Sequence, residues 1–385
     1  MRIGIFSESY EPIINGVAVC VQTLRDELTT QGHQVYIFSP GFAGFVDPYD
    51  KVYRFPSQRT HVARDYPLPI PFSPHIKRVF DGLDLDIVHT QTPFLLGILG
   101  ARWAKRRGIP VVSTNHTLYV NYAHYARFVP KPFTRQLVVF LMRQYYNRCD
   151  GVIAPSELAR NVLQGYGVQT RVEVIAGGVT NGMGAQANSG FRERLGVSPD
   201  TRLLLYVGRL AREKNLSMLL AAFRLIVDRT PDSRLVVIGG GPYERELRAE
   251  AVRSGVSDKI ILMGVMPRSE LGNAYACADV FLWPSETETQ GLAVCEALSA
   301  GLPCVAVRAG GTPECVEEGI DSFLTENDAQ AFADSAVTLL SDGAMRQRMS
   351  AAALRNAEKF SAPEMASKFY KFYCSVIEEY KRGTD

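Results

Sequence analysis

Short β-rich apolar runs alternate with longer helical patterns along this chain, and the alternation starts over halfway. That double rhythm limits the fold more than any other feature. In the first pass Arg2 to Phe6 reads as a strand, Val17 to Gln31 as a helix stopped by Gly32, and Gln34 to Phe38 as the next strand. Asp86 to His89, Val111 to Thr114 and Gly151 to Ala154 follow as strands, with a helix over Leu95 to Arg107 and Ser156 placed to cap a further one. The second pass opens on Arg202 to Val207, almost free of polar residues, as a strand covered on both faces has to be. Leu216 to Asp228 and Tyr243 to Ser254 read as helices. Arg234 to Ile238, Ile260 to Met263, Val280 to Trp283 and Pro303 to Val307 read as strands. Strands alternating with helices build a parallel sheet clothed on both sides. The expectation is an α/β protein with two doubly wound domains facing a central cleft.

At 385 residues the chain is too long for one core. The linker falls in Gly177 to Ser198, rich in Gly, Asn, Ser and Ala. Pro363 to Lys381 reads as a helix whose aromatics, Phe369, Tyr370, Phe372, Tyr373 and Tyr380, suit packing back across the first domain. The first domain is then 1–178 with 363–385, and the second 179–362.

Composition serves mainly to exclude. The 42 basic and 40 acidic residues leave a net charge of +2, which rules out a generally basic nucleic-acid binder. No stretch reaches the roughly 18 apolar residues of a membrane span. The opening MRIGIFSES turns polar at Ser7, so a secretory signal is not expected. Seven cysteines, an odd number at wide spacing without C-x-x-C, fit reduced buried thiols in the cytoplasm rather than disulfides or a zinc site.

In open parallel sheets ligands bind beyond the carboxyl ends of the strands, so the residues just after strands carry the chemistry. After the first strand a loop leads to Gly16 at a helix start, where unpaired N–H groups suit a phosphate. A plain glycine turn is the alternative. The loop is not G-x-G-x-x-G, which weakens a nicotinamide-cofactor reading. His116 follows the strand Val111 to Thr114, where a structural histidine is the common alternative. Arg209 and Lys214 leave one strand end five residues apart, and two cations there can hold a pyrophosphate and neutralise a departing diphosphate, or can be a solvated loop. The turn Gly239-Gly240-Gly241-Pro242 allows close backbone approach.

The fullest constellation follows Val280 to Trp283, from Pro284 to Ala297. Gly291 opens a helix there, so the N–H groups of Gln290, Gly291 and Leu292 face a ligand. Glu288 lies on the loop before the helix and Glu296 on its inner face, among Ala293, Ala297 and Leu298. A helix cap explains Glu288 but not Glu296, a carboxylate on an apolar face that must find donors, for which sugar hydroxyls are candidates.

Taken together and in order, Asn15-Gly16-Val17, His116, Arg209 with Lys214, the Gly-Gly-Gly-Pro turn and the E-x7-E pair Glu288 and Glu296 resemble a retaining GT-B glycosyltransferase of the family 4 type. The resemblance covers essentially the whole chain. It implies two Rossmann-like domains, the first for the acceptor and the second for a nucleotide-diphosphate sugar. It also implies that Gly16, Arg209 and Lys214 hold the diphosphate and that Glu296 binds the ribose. Glu288 and the backbone from Thr289 through Gln290 and Gly291 to Leu292 would contact sugar and phosphate, and His116 the donor sugar near the reacting carbon. His116, Glu288, Arg209 and Lys214 are thus the catalytic candidates. The departing phosphate would take the acceptor proton, with no metal and no cofactor. Asp84-x-Asp86, like a metal motif of the other glycosyltransferase fold, is discounted because it leads into a strand. The family's Pro-Asn-Gly-Val-Asp hinge is here Ala176-Gly177-Gly178-Val179-Thr180, so that loop receives no role.

The Thr287-Glu288-Thr289-Gln290-Gly291 form of the motif is similar to that of bacterial diacylglycerol glucosyltransferases. From Ile87 to Cys149 there is no Asp or Glu, yet there are nine Lys or Arg residues, among them Arg127, Lys131, Arg135 and Arg143, interleaved with Tyr and Phe. Basic residues are attracted to an anionic bilayer and aromatics suit its interface. The expectation is an enzyme docked on the inner face of the cell membrane, moving glucose from UDP-glucose to a lipid such as diacylglycerol. A core for the aromatics and a solvated basic face is the alternative. A soluble acceptor (sugar phosphate or inositol) and a non-catalytic sugar-binding protein are the rival functions.

Overall fold

The computed structural model describes residues 1–58, 67–118, 131–180 and 190–384. Two compact units emerge, 1–178 with 362–385, and 179–361. The first begins with β1 (Arg2–Phe6), α1 (Gly16–Thr30), β2 (Gln34–Pro40) and β3 (Val52–Phe55). A short pair, β4 (Ser57–Gln58) and β5 (Leu68–Pro69), precedes α2 (Pro74–Gly82), β6 (Ile87–Thr90), α3 (Leu95–Arg106) and β7 (Val111–Thr114). Then come α4 (Lys131–Tyr146), β8 (Gly151–Ala154), α5 (Glu157–Gly165) and β9 (Val172–Val174). Seven parallel strands stand in the order β3-β2-β1-β6-β7-β8-β9.

Side chains on successive strand residues point to opposite faces, and the two cores follow that period. Ile3, Ile5, Val35 and Ile37 face one side, with Val21 and Leu24 of α1. Phe6, Tyr36 and Phe38 face the other, with Phe80 and Trp103. Phe6 stacks on Phe38 with centroids 4.4 Å apart. Burying side chains of this size stabilises by roughly 1.5–3 kcal/mol each. Asn15 caps α1 by accepting the Ala18 N–H at 2.9 Å, and Ser156 caps α5 by accepting the Ala159 N–H at 3.1 Å.

The second unit runs through α6 (Gly190–Arg194), β10 (Arg202–Val207), α7 (Leu216–Arg229), β11 (Ser233–Ile238), α8 (Glu244–Arg253) and β12 (Ile260–Gly264). It continues with α9 (Arg268–Cys277), β13 (Val280–Trp283), α10 (Leu292–Ser299), β14 (Cys304–Val307), β15 (Ser322–Thr325), α11 (Ala329–Ser341) and α12 (Gly343–Ala357). Its six parallel strands stand in the order β12-β11-β10-β13-β14-β15. In both sheets the order reverses beside the first strand, between β1 and β6 and between β10 and β13.

The last helix, α13 (Ala362–Thr384), belongs to the first unit. Phe369, Phe372 and Tyr373 are buried against Ile5 and its neighbours. Tyr370 instead stacks on His33, 4.7 Å between centroids. The chain changes units at Gly178–Val179 and at Ser361–Ala362, and Val179 bridges Ser361 there. All seven cysteines are free thiols, and all but Cys277 and Cys374 are buried. Among the described residues no helix is long and apolar enough to cross a membrane. Asp84 and Asp86 are tied to Arg2 at the amino edge of the first sheet: Asp84 pairs with its guanidinium at 2.9 Å and Asp86 accepts its N–H at 2.6 Å.

Candidate active site

In the second unit the expected residues gather at the carboxyl edge of the sheet. Tyr206, near the end of β10, donates its hydroxyl to the Arg209 carbonyl at 3.1 Å and so shapes the turn that follows. The Arg209 residue is exposed and forms no ion pair among the described residues. Lys214 ends a single 3₁₀ turn, and Asn215 behind it takes a left-handed φ of 55°. The Asn215 amide donates to the Pro284 carbonyl at 3.2 Å, tying this turn to the segment after β13. Across that tie Lys214 Nζ meets Glu288 Oε1 at 2.6 Å, and Ser285 Oγ donates to the same oxygen at 2.6 Å. The ammonium also lies 5.5 Å from the Trp283 ring centroid.

Lys214 and Glu288, expected on different parts of a donor, are therefore one ion pair. Lys214 arrives partly neutralised, whereas Arg209 has no ion pair among the described residues.

Glu296 is buried on α10. Its Oε1 accepts from Arg268 at 3.0 Å and its Oε2 from the Tyr275 hydroxyl at 3.0 Å. Burial raises its pKa, and Arg268 and Tyr275 oppose the rise. The donors that this carboxylate needs are thus supplied inside the fold. Arg268 and Tyr275 escaped sequence reasoning, although Arg268 follows β12, a position that was open to the after-strand rule.

The helix α10 starts at Leu292, with Gly291 as its cap residue at φ 106°, and Gln290 is buried rather than presented. The Gln290 carbonyl accepts from Cys315 Sγ at 3.1 Å. The loop is braced by the turn after β14, where the Gly311 N–H donates to the Glu288 carbonyl at 2.9 Å. A Cβ on Gly311 would stand 2.3 Å from the Thr289 carbonyl oxygen, so this glycine is dictated by the closeness of the two chains. The Gly239-Gly240-Gly241 turn is explained in the same way. A Cβ on Gly239 would meet the Gly208 oxygen at 1.9 Å, and one on Gly241 the Leu210 oxygen at 2.2 Å. Backbone approaches backbone there, which accounts for these glycines without a ligand.

In the first unit Gly16 is the first residue of α1, and a Cβ there would meet nothing within 4 Å. Packing does not ask for a glycine at this helix start. The loop before it is held by Tyr10 beside the guanidiniums of Arg25 and Arg54, at 5.7 and 5.4 Å, and by an Arg54 hydrogen bond to the Glu11 carbonyl at 2.6 Å.

His116 is half-buried after β7, with Nε2 2.6 Å from Gln91 Oε1. Burial pushes its pKa down to about 4 and that of fully buried His89 to about 3, so both rings are neutral at pH 7. Glu8, just after β1, accepts the Leu96 N–H at the start of α3 at 2.7 Å, and burial raises its carboxyl to about 7. It also went unnoticed in the sequence.

Of the expected membrane-side residues, Arg127 lies outside the described residues and Lys131 starts α4. Arg135 and Arg143 are exposed on α4. Leu137, Phe140 and Leu141 share that helix at 55%, 56% and 50% exposure, while Met142 and Tyr146 are core. The expectation that the aromatics face outward is corrected for Tyr146. Among the residues described, leucines with one phenylalanine make the exposed apolar face.

Comparison with known proteins agrees over nearly the whole chain. Residues 14–181 match the model for Glycosyltransferase Family 4, and residues 189–356 that for glycosyl transferases group 1. An alpha-monoglucosyldiacylglycerol synthase of Streptococcus pneumoniae is 34% identical over 316 residues, 80% of this chain and 71% of that one. One of the same description from Acholeplasma laidlawii is 32% identical over 351 residues, 85% and 86% of the two chains. A D-inositol 3-phosphate glycosyltransferase of Xylanimonas cellulosilytica is 32% identical over 309 residues, 76% and 72%. Among solved structures, sucrose-phosphate synthase from Thermosynechococcus elongatus superposes with a TM-score of 0.79 at 19% identity, over 98% of this chain and 99% of that one.

Proposed function

The chain belongs to glycosyltransferase family 4 and has the GT-B fold, and from that premise we propose that it transfers a hexosyl group, glucose in the first instance, from UDP-glucose or a related nucleotide sugar to a membrane lipid such as diacylglycerol. The two relatives described as alpha-monoglucosyldiacylglycerol synthases support the sugar and the acceptor. In this proposal the second unit takes the nucleotide sugar. Arg209, aided by Lys214, carries the charge that grows on the leaving diphosphate, and preorganised cations there lower the barrier without a metal. Glu288 takes hydroxyls of the donor sugar, and Glu296, whose two oxygens already accept from Arg268 and Tyr275, offers its remaining lone pairs to those of the ribose. Gly16 and His116 are contacts of the diphosphate and the sugar. The acceptor attacks from the side the diphosphate leaves, its proton passes to that phosphate, and the anomeric configuration is retained.

The observation that carries the lipid acceptor is the exposed face of α4. Leu137, Phe140 and Leu141 recur at helical spacing, Arg135 and Arg143 flank them, and the helix contains no acid. An apolar stripe edged by cations is the pattern of a helix lying in an anionic interface. The protein then works as a peripheral enzyme at the inner face of the membrane.

A matrix of nucleotide sugars against diacylglycerol, inositol phosphate and sugar phosphates tests the proposal. Transfer to diacylglycerol is expected. Transfer confined to the soluble acceptors, the alternative suggested by the inositol-phosphate relative, would overturn it. Binding to liposomes should rise with anionic lipid and fall with salt, and should be lost in Leu137→Ser/Phe140→Ser. Equal binding to neutral and anionic vesicles would refute the docking face.

A further inference from the structure

Asn215 stands where a residue of its type ordinarily caps a helix, and its side chain does not cap. It precedes α7, and its carbonyl accepts the first bond of that helix, from the Leu219 N–H at 3.3 Å. An asparagine in that place normally turns its side-chain oxygen back onto the next N–H groups and so stabilises the helix. No such bond forms here. The side-chain nitrogen reaches away instead, to the Pro284 carbonyl at 3.2 Å and to Asn327 Oδ1 at 2.8 Å. A carbonyl oxygen only accepts, so the end of the amide facing Pro284 is its NH2, and the two hydrogens serve the two acceptors.

The backbone departs from the ordinary as well. Among the described residues Asn215 is the only non-glycine with a left-handed φ, 55°. That region is disfavoured for a residue with a Cβ, although asparagine tolerates it better than most. Backbone held in a disfavoured region gathers at functional sites. In exchange for a helix cap and a relaxed backbone, the Asn215 amide joins the ends of three strands. It closes the turn after β10, Pro284 follows β13, and Asn327 follows β15. Lys214 is the residue immediately before it. On the other side of Lys214 the Glu213 carbonyl accepts from the Thr287 hydroxyl at 3.3 Å. Both chain neighbours of Lys214 are therefore bonded to the segment that leads to Glu288. A lysine side chain has much rotamer freedom to lose, and these two ties fix the point from which it starts.

We propose that Asn215 is a positioning residue: its amide holds the Lys214 turn against the loop before α10, and so sets the place at which the Lys214 ammonium meets the leaving diphosphate. This rests on Lys214 serving the diphosphate, as proposed above. Asn215 touches neither sugar nor phosphate in this arrangement and acts through Lys214 alone. Asn327 is the outer anchor, which brings the segment after β15 into the support of the site.

Asn215→Gly keeps the left-handed backbone available and removes the amide. Turnover in the full chain should fall about 10- to 100-fold, the scale of a contact misplaced by about 1 Å. Affinity for UDP should fall with it and affinity for uridine should not, because only the phosphates meet the ammonium. A purely structural role would instead lower stability and weaken both ligands alike. Asn327→Leu leaves the Pro284 bond in place and should give a smaller loss in the same direction. In a Lys214→Ala background Asn215→Gly should cause no further loss, since residues that act through one group are not additive. A crystal structure of Asn215→Gly should show the 2.6 Å contact of Lys214 with Glu288 broken. An intact contact, wild-type turnover, equal losses for UDP and uridine, or a full additional loss on top of Lys214→Ala would each overturn the proposal. Unchanged UDP affinity and turnover in Lys214→Ala alone would refute the diphosphate role of Lys214 instead. The crystal structure would then still decide whether Asn215 places that side chain.

Discussion

Replacing Lys214 by alanine removes one partner of the 2.6 Å contact with Glu288. Both side chains are mostly covered, 16% and 14% exposed. At an effective dielectric of about 20, unit charges at that separation attract by roughly 6 kcal/mol, most of which is offset by removing them from water. After the substitution Glu288 keeps the Ser285 hydroxyl as a donor at 2.6 Å, so the stranded carboxylate is not wholly unpaired. The expected loss of stability is about 1–3 kcal/mol, or a Tm lower by roughly 2–4 °C per kcal/mol in a chain of this size. Turnover should fall by about 10²–10³, as when one preorganised charge is withdrawn from a developing anion. Sugar transfer and UDP affinity, measured with Tm, separate the causes. Glu288→Gln keeps an acceptor for Ser285 and releases the full charge of Lys214, so UDP should bind tighter while transfer falls. If Lys214 served only to neutralise Glu288, the double variant Lys214→Ala/Glu288→Gln would turn over as fast as Glu288→Gln alone. Such equality, or near-normal turnover in Lys214→Ala alone, would refute a direct role for this ammonium.

Glu8 gives a pH prediction. Its folded pKa of about 7 lies above its ordinary value of 4.5 because burial disfavours the ion. The folded state therefore holds a proton that the unfolded chain releases, and the contribution of this group to stability is full below pH 4.5 and lost as pH rises through 7. The loss amounts to about 3 kcal/mol. Urea unfolding at a series of pH values should show this decline, and Glu8→Gln should flatten it; an unchanged slope in the variant would assign the decline elsewhere. Gly16→Ala puts a methyl where nothing lies within 4 Å. Stability should be held or raised by up to about 1 kcal/mol, while donor KM rises several-fold. Unchanged kinetics would make Gly16 an ordinary turn residue.

The strands that carry the site were legible because parallel strands buried on both faces are plain apolar runs. Val111–Thr114, Gly151–Ala154, Arg202–Val207 and Val280–Trp283 stand where their sequences place them. β3, β9 and β15 were not read, nor was the short pair β4 and β5. Val52–Phe55 is half-exposed at a sheet edge and Ser322–Thr325 is short and bounded by polar residues, so neither has the apolar excess that marks a covered strand. The candidate residues were legible one at a time, by their place after strands. Their partnerships were not: Lys214 and Glu288 are 74 positions apart, and Gln91 and His116 are 25 apart. What joins them is strand order. β10 lies beside β13, so the turn after one meets the loop after the other, and β6 lies beside β7, which sets Gln91 against His116. Once that order is known, a single rule recovers both pairs, because residues leaving the carboxyl ends of adjacent parallel strands are neighbours about 4.8 Å apart at their base. The same rule explains why Arg209 and Lys214, leaving one strand, end differently. Lys214 crosses toward β13 and finds an acid there, whereas Arg209 is exposed and has no ion pair among the described residues, which leaves its charge available for the diphosphate of the proposed donor.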